Sequence, residues 1–157
     1  MKLKIRKNPD PILRQKAAKI KFPLDKKTQE LVLVMSEMLI SNKNAIGLAA
    51  PQVGESLRLC VINLDGELYV AINPKITAKS RKKIVSEEGC LSFPNEFYPV
   101  SRCEDVQVRF SDPDGKPRKV RARGLLARAF QHEIDHLDGI LFIDKITKSK
   151  TISKSTN

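Results

Sequence analysis

A chain of 157 residues, 41% of them hydrophobic, suits one globular domain with a sizeable core. No apolar run approaches the ~20 residues of a membrane span, and the basic start Met1-Lys2-Leu3-Lys4-Ile5-Arg6 lacks the apolar stretch of a signal peptide, so neither membrane insertion nor export is expected. The net charge of +11 favours an anionic partner such as RNA or the ribosome surface, whereas 5% aromatic residues and no nucleic-acid motif speak against sequence-specific base recognition. A solvated basic surface is the plainer reading of those charges. Three cysteines, an odd number, point to a reducing cytoplasm.

In chain order, Asn8-Pro9-Asp10-Pro11 predicts a turn that opens a short helix through Ile12, Leu13 and Ala17. A second turn at Phe22-Pro23-Leu24-Asp25 precedes the clearest early helix. There Leu31, Val34, Met35, Met38 and Leu39 recur at three- and four-residue steps, with Asp25 as N-cap. The segment Asn44 to Gly54 has small residues that permit close backbone approach, and Pro51 interrupts any helix. Gln52, polar among apolar neighbours, reads by itself as a surface-loop glutamine, to be promoted only by a convergent site.

From Leu57 to Asp112 the pattern is that of strands. Leu57 to Ile62 is β-rich, and Asp65-Gly66 predicts a hairpin turn into Leu68–Ile72. Ile76–Ser80 and Lys82–Ser86 are expected as further short strands. Val106–Phe110 alternates and turns at Asp114-Gly115 into Lys119–Ala122. A helix then leads in with Leu125 and stops at Gly139, followed by a last apolar run, Ile140–Ile143. Beyond Asp144 the lysine-, serine- and threonine-rich end is expected to fray, giving one domain over residues 1–146 and a disordered basic tail over 147–157. Helix, then mostly antiparallel strands, then helix makes an α+β domain.

The late helix carries both histidines of the chain, in Gln131-His132-Glu133-Ile134-Asp135-His136. Residues i and i+4 lie one above the other on a helix, so two imidazoles can grip one metal ion while Glu133 stands beside it to handle protons. A catalytic site needs a third protein ligand, and with no third histidine the candidates are Cys, Asp or Glu. Cys90, in Glu88-Gly89-Cys90-Leu91-Ser92, stands out, because Gly89 flanks it and it lies outside the apolar runs. Cys60 reads as a buried core thiol, and Cys103 as an unremarkable one at a strand entrance. Softness and geometry suit Zn²⁺ or Fe²⁺ equally with one sulfur and two nitrogens.

Three motifs, Ala45-Ile46-Gly47-Leu48-Ala49-Ala50-Pro51-Gln52, Glu88-Gly89-Cys90-Leu91-Ser92 and Gln131-His132-Glu133-Ile134-Asp135-His136, resemble in order and spacing those of the peptide deformylase family. The likeness runs from about residue 4 to residue 146. It implies a fold of antiparallel strands around the helix that carries the paired histidines, with Cys90, His132 and His136 as metal ligands. It also implies Fe²⁺ in the cell, with zinc, nickel or cobalt able to substitute. The implied reaction removes the formyl group from N-formylmethionyl nascent peptides and releases formate. Glu133 would be the general base and then the general acid, with the Gln52 side chain and the Leu91 backbone N–H stabilising the oxyanion. Departures from the family pattern are Ala45 and Asn95, where many members have glycine, and Phe97 or Tyr98, where some have an arginine. These bear on the shape of the substrate cleft and not on the ligands.

Leu125 and Ala129 share a helix face with His132 and His136. With Ile46 and Gly47 they describe an apolar slot suited to an unbranched side chain such as methionine. The nearest alternative is a zinc metallopeptidase, which shares the two-histidine-and-glutamate helix but needs a third histidine or a downstream glutamate ligand. A Cys90–His132 nucleophilic hydrolase and a non-enzymatic ribosome-binding module are further alternatives. The chain is expected to act as a monomer in the cytoplasm.

Overall fold

The structure is a computed structural model and describes residues 1–148. Among these residues two α-helices and seven strands form an α+β domain. The helices are α1 (Lys26–Ser41) and α2 (Leu125–Leu137). The strands are β1 (Gly47–Ala49), β2 (Leu59–Leu64), β3 (Glu67–Lys79), β4 (Lys83–Cys90), β5 (Phe93–Cys103), β6 (Asp105–Ser111) and β7 (Pro117–Arg123). One antiparallel sheet runs β1-β2-β3-β6-β7, and β4 and β5 make a separate two-stranded hairpin.

Asp25 caps α1 as expected, accepting from the Thr28 backbone N–H at 2.7 Å. The stripe of α1 buries Leu31, Met35 and Leu39, with Val32 and Ser36 beside them, against Leu48, Leu59, Val61 and Ile72 of one sheet face. Val34 and Met38 lie at the margin, half-buried. The other face meets Ala127, Ala129, Phe130, Ile134 and Leu137 of α2, with Cys60, Ile62, Val106, Val108 and Phe110 between them. Full burial of a side chain such as Phe130 contributes ~1.5–3 kcal/mol, so this layer anchors α2 firmly.

The hairpin turn at Asp65-Gly66 has positive φ at both residues (52° and 77°), as a type I′ turn requires. The two strands expected at 68–72 and 76–80 are one bent strand, β3. The bend falls at Asn73 (φ 52°), where the ladder to β6 slips between Ile72 and Lys75. The Asn73 side chain offsets the break by pairing with both the N–H and the carbonyl of Ile20 (2.9 and 2.8 Å). β4 extends past Ser86 to Cys90, so Cys90 ends a strand.

Strand β5 is longer than anything the sequence pattern offered, because Pro94, Asn95 and Pro99 interrupt its alternation. Proline is tolerated there because β5 pairs with a single strand, β4. Cys103 therefore closes a strand instead of opening one. The short helix expected through Ala17 is a 3-10 turn that stops at Arg14, and Ala17 donates instead to the carbonyl of Leu137 (2.8 Å).

The last apolar run forms a 3-10 turn, Phe142–Lys145, with Leu141 and Phe142 buried against Leu13, Phe93 and Val100. Ile146 bridges Val100, and the Thr147 N–H donates to the Pro99 carbonyl (2.9 Å). The remainder of the expected tail, 149–157, lies outside the described residues. Among the described residues no helix is long and apolar enough to cross a membrane.

Candidate metal centre and active site

Three elements deliver the candidate residues to one place. The ladder between β4 and β5 slips between Glu88 and Cys90, a bulge that ends the strand and places Cys90 opposite Phe93. Helix α2 supplies His132, Glu133 and His136 from its last two turns. The 3-10 turn Ala50–Val53, which follows β1, supplies Gln52.

Cys90, His132 and His136 each offer one ligand atom, and these three atoms lie within 4.8 Å of one another. Cys90 Sγ is 3.4 Å from His136 Nε2, and the two imidazole rings stand 5.0 Å apart at 67°. One sulfur and two imidazole nitrogens converging in this way form a donor set suited to a divalent transition metal. His136 is buried and its Nδ1 has no hydrogen-bond partner among the described residues.

Gln52 is 2% exposed, so the surface-loop reading of this residue is corrected. Its Oε1 accepts from the Ala49 N–H (2.9 Å), which fixes the amide orientation. The Nε2 donors are thereby turned toward Cys90 Sγ (3.4 Å) and Ser92 Oγ (3.3 Å). Glu133 is buried beside Gly47. A Cβ on Gly47 would lie 2.5 Å from Glu133 Oε1, so glycine there makes room for the carboxylate. Glu133 Oε2 has no partner among the described residues. Burial lifts the Glu133 carboxyl to about 7, with the neighbouring His132 pulling the other way.

Glu88 sits directly behind the centre. Its Oε1 accepts from His132 Nδ1 (2.8 Å), and Arg102 forks onto both oxygens (2.9 Å each). Although burial works against its charge, the bonds from Arg102 and His132 hold the carboxyl well below its ordinary range. Arg102 reaches on to Asp135 on α2 (2.5 Å). Glu88 was legible only as part of a motif, and Arg102 and Ser92 gave no signal of their own. Arg128 did carry one: it is four residues before His132, and a charge on the inner face of a helix must find a partner.

A cavity of about 650 Å³ opens onto Cys90, His132 and Glu133. Ile46, Gly47, Gln52, Leu91, Leu125 and Ala129 line it, so these residues lie beside the Cys90, His132 and His136 cluster. Ala129 is buried, whereas Leu125 is 53% exposed at the mouth and is not core. Phe97 and Asn95 also line the cavity. The Phe97 ring lies over Gly89, where a Cβ would come within 2.6 Å of it.

The family model of polypeptide deformylase matches residues 2–151. The chain belongs to the peptide deformylase family. It is 48% identical over 141 residues to the peptide deformylase of Dictyoglomus thermophilum, covering 90% of each chain. Its fold is similar to the peptide deformylase of Thermotoga maritima, with a TM-score of 0.88 and 36% identity, covering 94% of this chain and 99% of that one. It is also similar to a Synechococcus elongatus peptide deformylase in complex with actinonin, with a TM-score of 0.87 and 38% identity, covering 97% of this chain and 82% of that one. The deformylase reading of the sequence stands, and the metallopeptidase alternative falls.

Proposed function

We propose that the chain hydrolyses the N-formyl group of N-formylmethionyl nascent peptides to formate and a free amine, using a divalent cation held by Cys90, His132 and His136. The observation that carries this reading is the convergence of one sulfur and two imidazole nitrogens at the end of a cavity, with a buried glutamate beside them. The cation is Fe²⁺ in the cell, with Zn²⁺, Ni²⁺ or Co²⁺ able to take its place, since the donor set is borderline-soft. Bound there, it supplies Lewis-acid chemistry, polarising the formyl carbonyl and acidifying a water to a pKa of about 7.

The remaining chemistry belongs to the chain. Glu133 takes the proton of the attacking water and delivers it to the departing amine nitrogen. Its burial favours both tasks, because a carboxylate shielded from water is a stronger base than an exposed one. As charge grows on the former carbonyl oxygen, the Gln52 Nε2 donor and the Leu91 backbone N–H stabilise it. A neutral donor of this kind is worth about 2.7–4 kcal/mol in the transition state. Ala49 holds that donor in place before substrate arrives. Ile46, Leu125 and Ala129 receive the methionine side chain, and Gly47 keeps space for Glu133.

The net charge of +11 supports work beside the anionic ribosome in the cytoplasm. The chain acts as a monomer in this reading, with the motif residues that the chemistry uses all drawn from one copy. The test is anaerobic purification with metal analysis, then a formate-release assay on a formyl-methionyl peptide and on the same peptide without the formyl group. Formate from the first, loss on chelation and recovery with added metal support the reading. Activity that survives chelators and dies with thiol alkylation would replace it with a Cys90 nucleophile.

A further inference from the structure

The buried guanidinium of Arg128 takes no part in the chemistry above, although it stands one helical turn before His132. Its side chain is 10% exposed. Nη1 donates to Glu88 Oε2 (2.5 Å) and to the Val100 carbonyl (3.0 Å), and Nη2 donates to the Ile84 carbonyl (2.6 Å). A single α2 side chain thus holds both strands of the β4–β5 hairpin.

The three donor atoms of the metal centre come from two separate bodies, Cys90 from the hairpin and the two histidines from α2. Their spacing is therefore set by how the helix docks on the hairpin. The apolar side chains of α2 pack mainly on the five-stranded sheet. The hairpin is reached by polar links: Arg128, the Gln131 amide paired to the Cys103 backbone, His132 to Glu88, and Asp135 to Arg102.

Glu88 is the hub of those links, with four donors on its two oxygens. Oε2 takes Arg102 Nε and Arg128 Nη1, while Oε1 takes Arg102 Nη2 and His132 Nδ1. With Oε2 gripped by two guanidinium groups the carboxylate cannot turn, so Oε1 stays aimed at His132. An acceptor at that place keeps the proton on Nδ1 and leaves Nε2 with its lone pair.

We propose that Arg128 is a positioning residue for the metal centre, a reading that rests on the ligand assignment made above. Through Glu88 it fixes the His132 ring, and through the Ile84 and Val100 carbonyls it fixes the distance of α2 from the strand that bears Cys90. An apolar residue of similar length would fill the space but leave Oε2 with one donor and take one donor away from each of the Ile84 and Val100 carbonyls.

The test compares the wild-type chain with Arg128→Met and Arg128→Lys, each loaded with Zn²⁺ in competition with a chromophoric chelator and with Co²⁺ for its absorption spectrum. Arg128→Met should bind Zn²⁺ ~10–100-fold more weakly and shift the Co²⁺ bands. Its kcat should fall while KM stays near that of the wild type, and Arg128→Lys should recover part of each loss. Combined with Glu88→Gln, Arg128→Met should add little to the larger single loss, because both act through one carboxylate. Wild-type affinity in a folded Arg128→Met, or losses that add in the double variant, would overturn the proposal. If Arg128→Met does not fold, the same measurements on Arg128→Lys decide, and unchanged affinity and spectrum there overturn it. A wild-type chain that takes up no Zn²⁺ sinks the ligand assignment itself, which separates that failure from this one.

Discussion

Gly47 and Glu133 fit because one of them has no side chain. An added methyl at Gly47 would meet Oε1, Cδ and Cγ of Glu133 at 2.5–2.9 Å, so Gly47→Ala must push the carboxylate aside. A displacement near 1 Å at a reacting group costs on the order of a hundredfold in rate. Gly47→Ala should therefore lower kcat by about that factor in a formate-release assay while Zn²⁺ binding by titration stays unchanged. The cysteines make a second residue-scale expectation. Burial pushes the Cys60 thiol well above its ordinary value, and Cys103 is buried too. Iodoacetamide on chelated, folded protein should therefore label Cys90 and leave Cys60 unmodified, as peptide mass mapping would show; rapid labelling of Cys60 would mean that the core is open. At this scale the sequence was readable wherever spacing carries chemistry, as with the paired histidines. Local pattern alone missed the burial of Gln52, whose partner Ser92 lies 40 residues away, and it missed Arg102, whose partners are non-local.

Among the elements, the capped and periodic ones were the legible ones. Asp25 and the stripe beginning at Leu31 announce α1, and Asp25→Ala should lower the urea midpoint without changing the denaturant slope or the formate-release rate. The two hairpins at Asp65-Gly66 and Asp114-Gly115 were equally plain, since positive φ restricts which residues can occupy those turns. β1 and β5 were not. β1 is three residues long and earns its place only by pairing Gly47, Leu48 and Ala49 with β2. β5 hides behind its prolines, and only its partner β4 makes it a strand. Pairing between distant segments leaves little trace in local sequence. The hairpin that bears Cys90 was therefore the least visible part of the site's scaffold.

Across the whole molecule, the first and last 3-10 turns are joined by Arg14 and Asp144, with Arg14 donating to both carboxylate oxygens (2.5 and 3.0 Å). That hydrogen bond, with weaker help from Leu141, holds the Asp144 carboxyl below its ordinary value. A carboxyl whose pKa is lowered on folding adds stability above its unfolded pKa and loses it as pH falls through the folded one. Asp144→Asn should thus lower the melting temperature at pH 7, and the gap from the wild type should close in acid below the ordinary carboxylate range. A gap that persists at low pH would assign the loss to packing instead.

Since the donors proposed for the cation sit on a hairpin and on a helix that share few apolar contacts, a bound ion would work as a rivet as well as a reagent. At a hundred times its Kd it adds about 2.7 kcal/mol to folding, or roughly 5–10 °C in melting temperature for a chain of this size. Calorimetry across a Zn²⁺ titration should show that rise. Drawing the rivet with a chelator should loosen the flap from Lys83 to Cys103 before the five-stranded sheet, and limited proteolysis would find the first cuts there. An ion held for the chemistry would then also guard the enzyme against being cleaved.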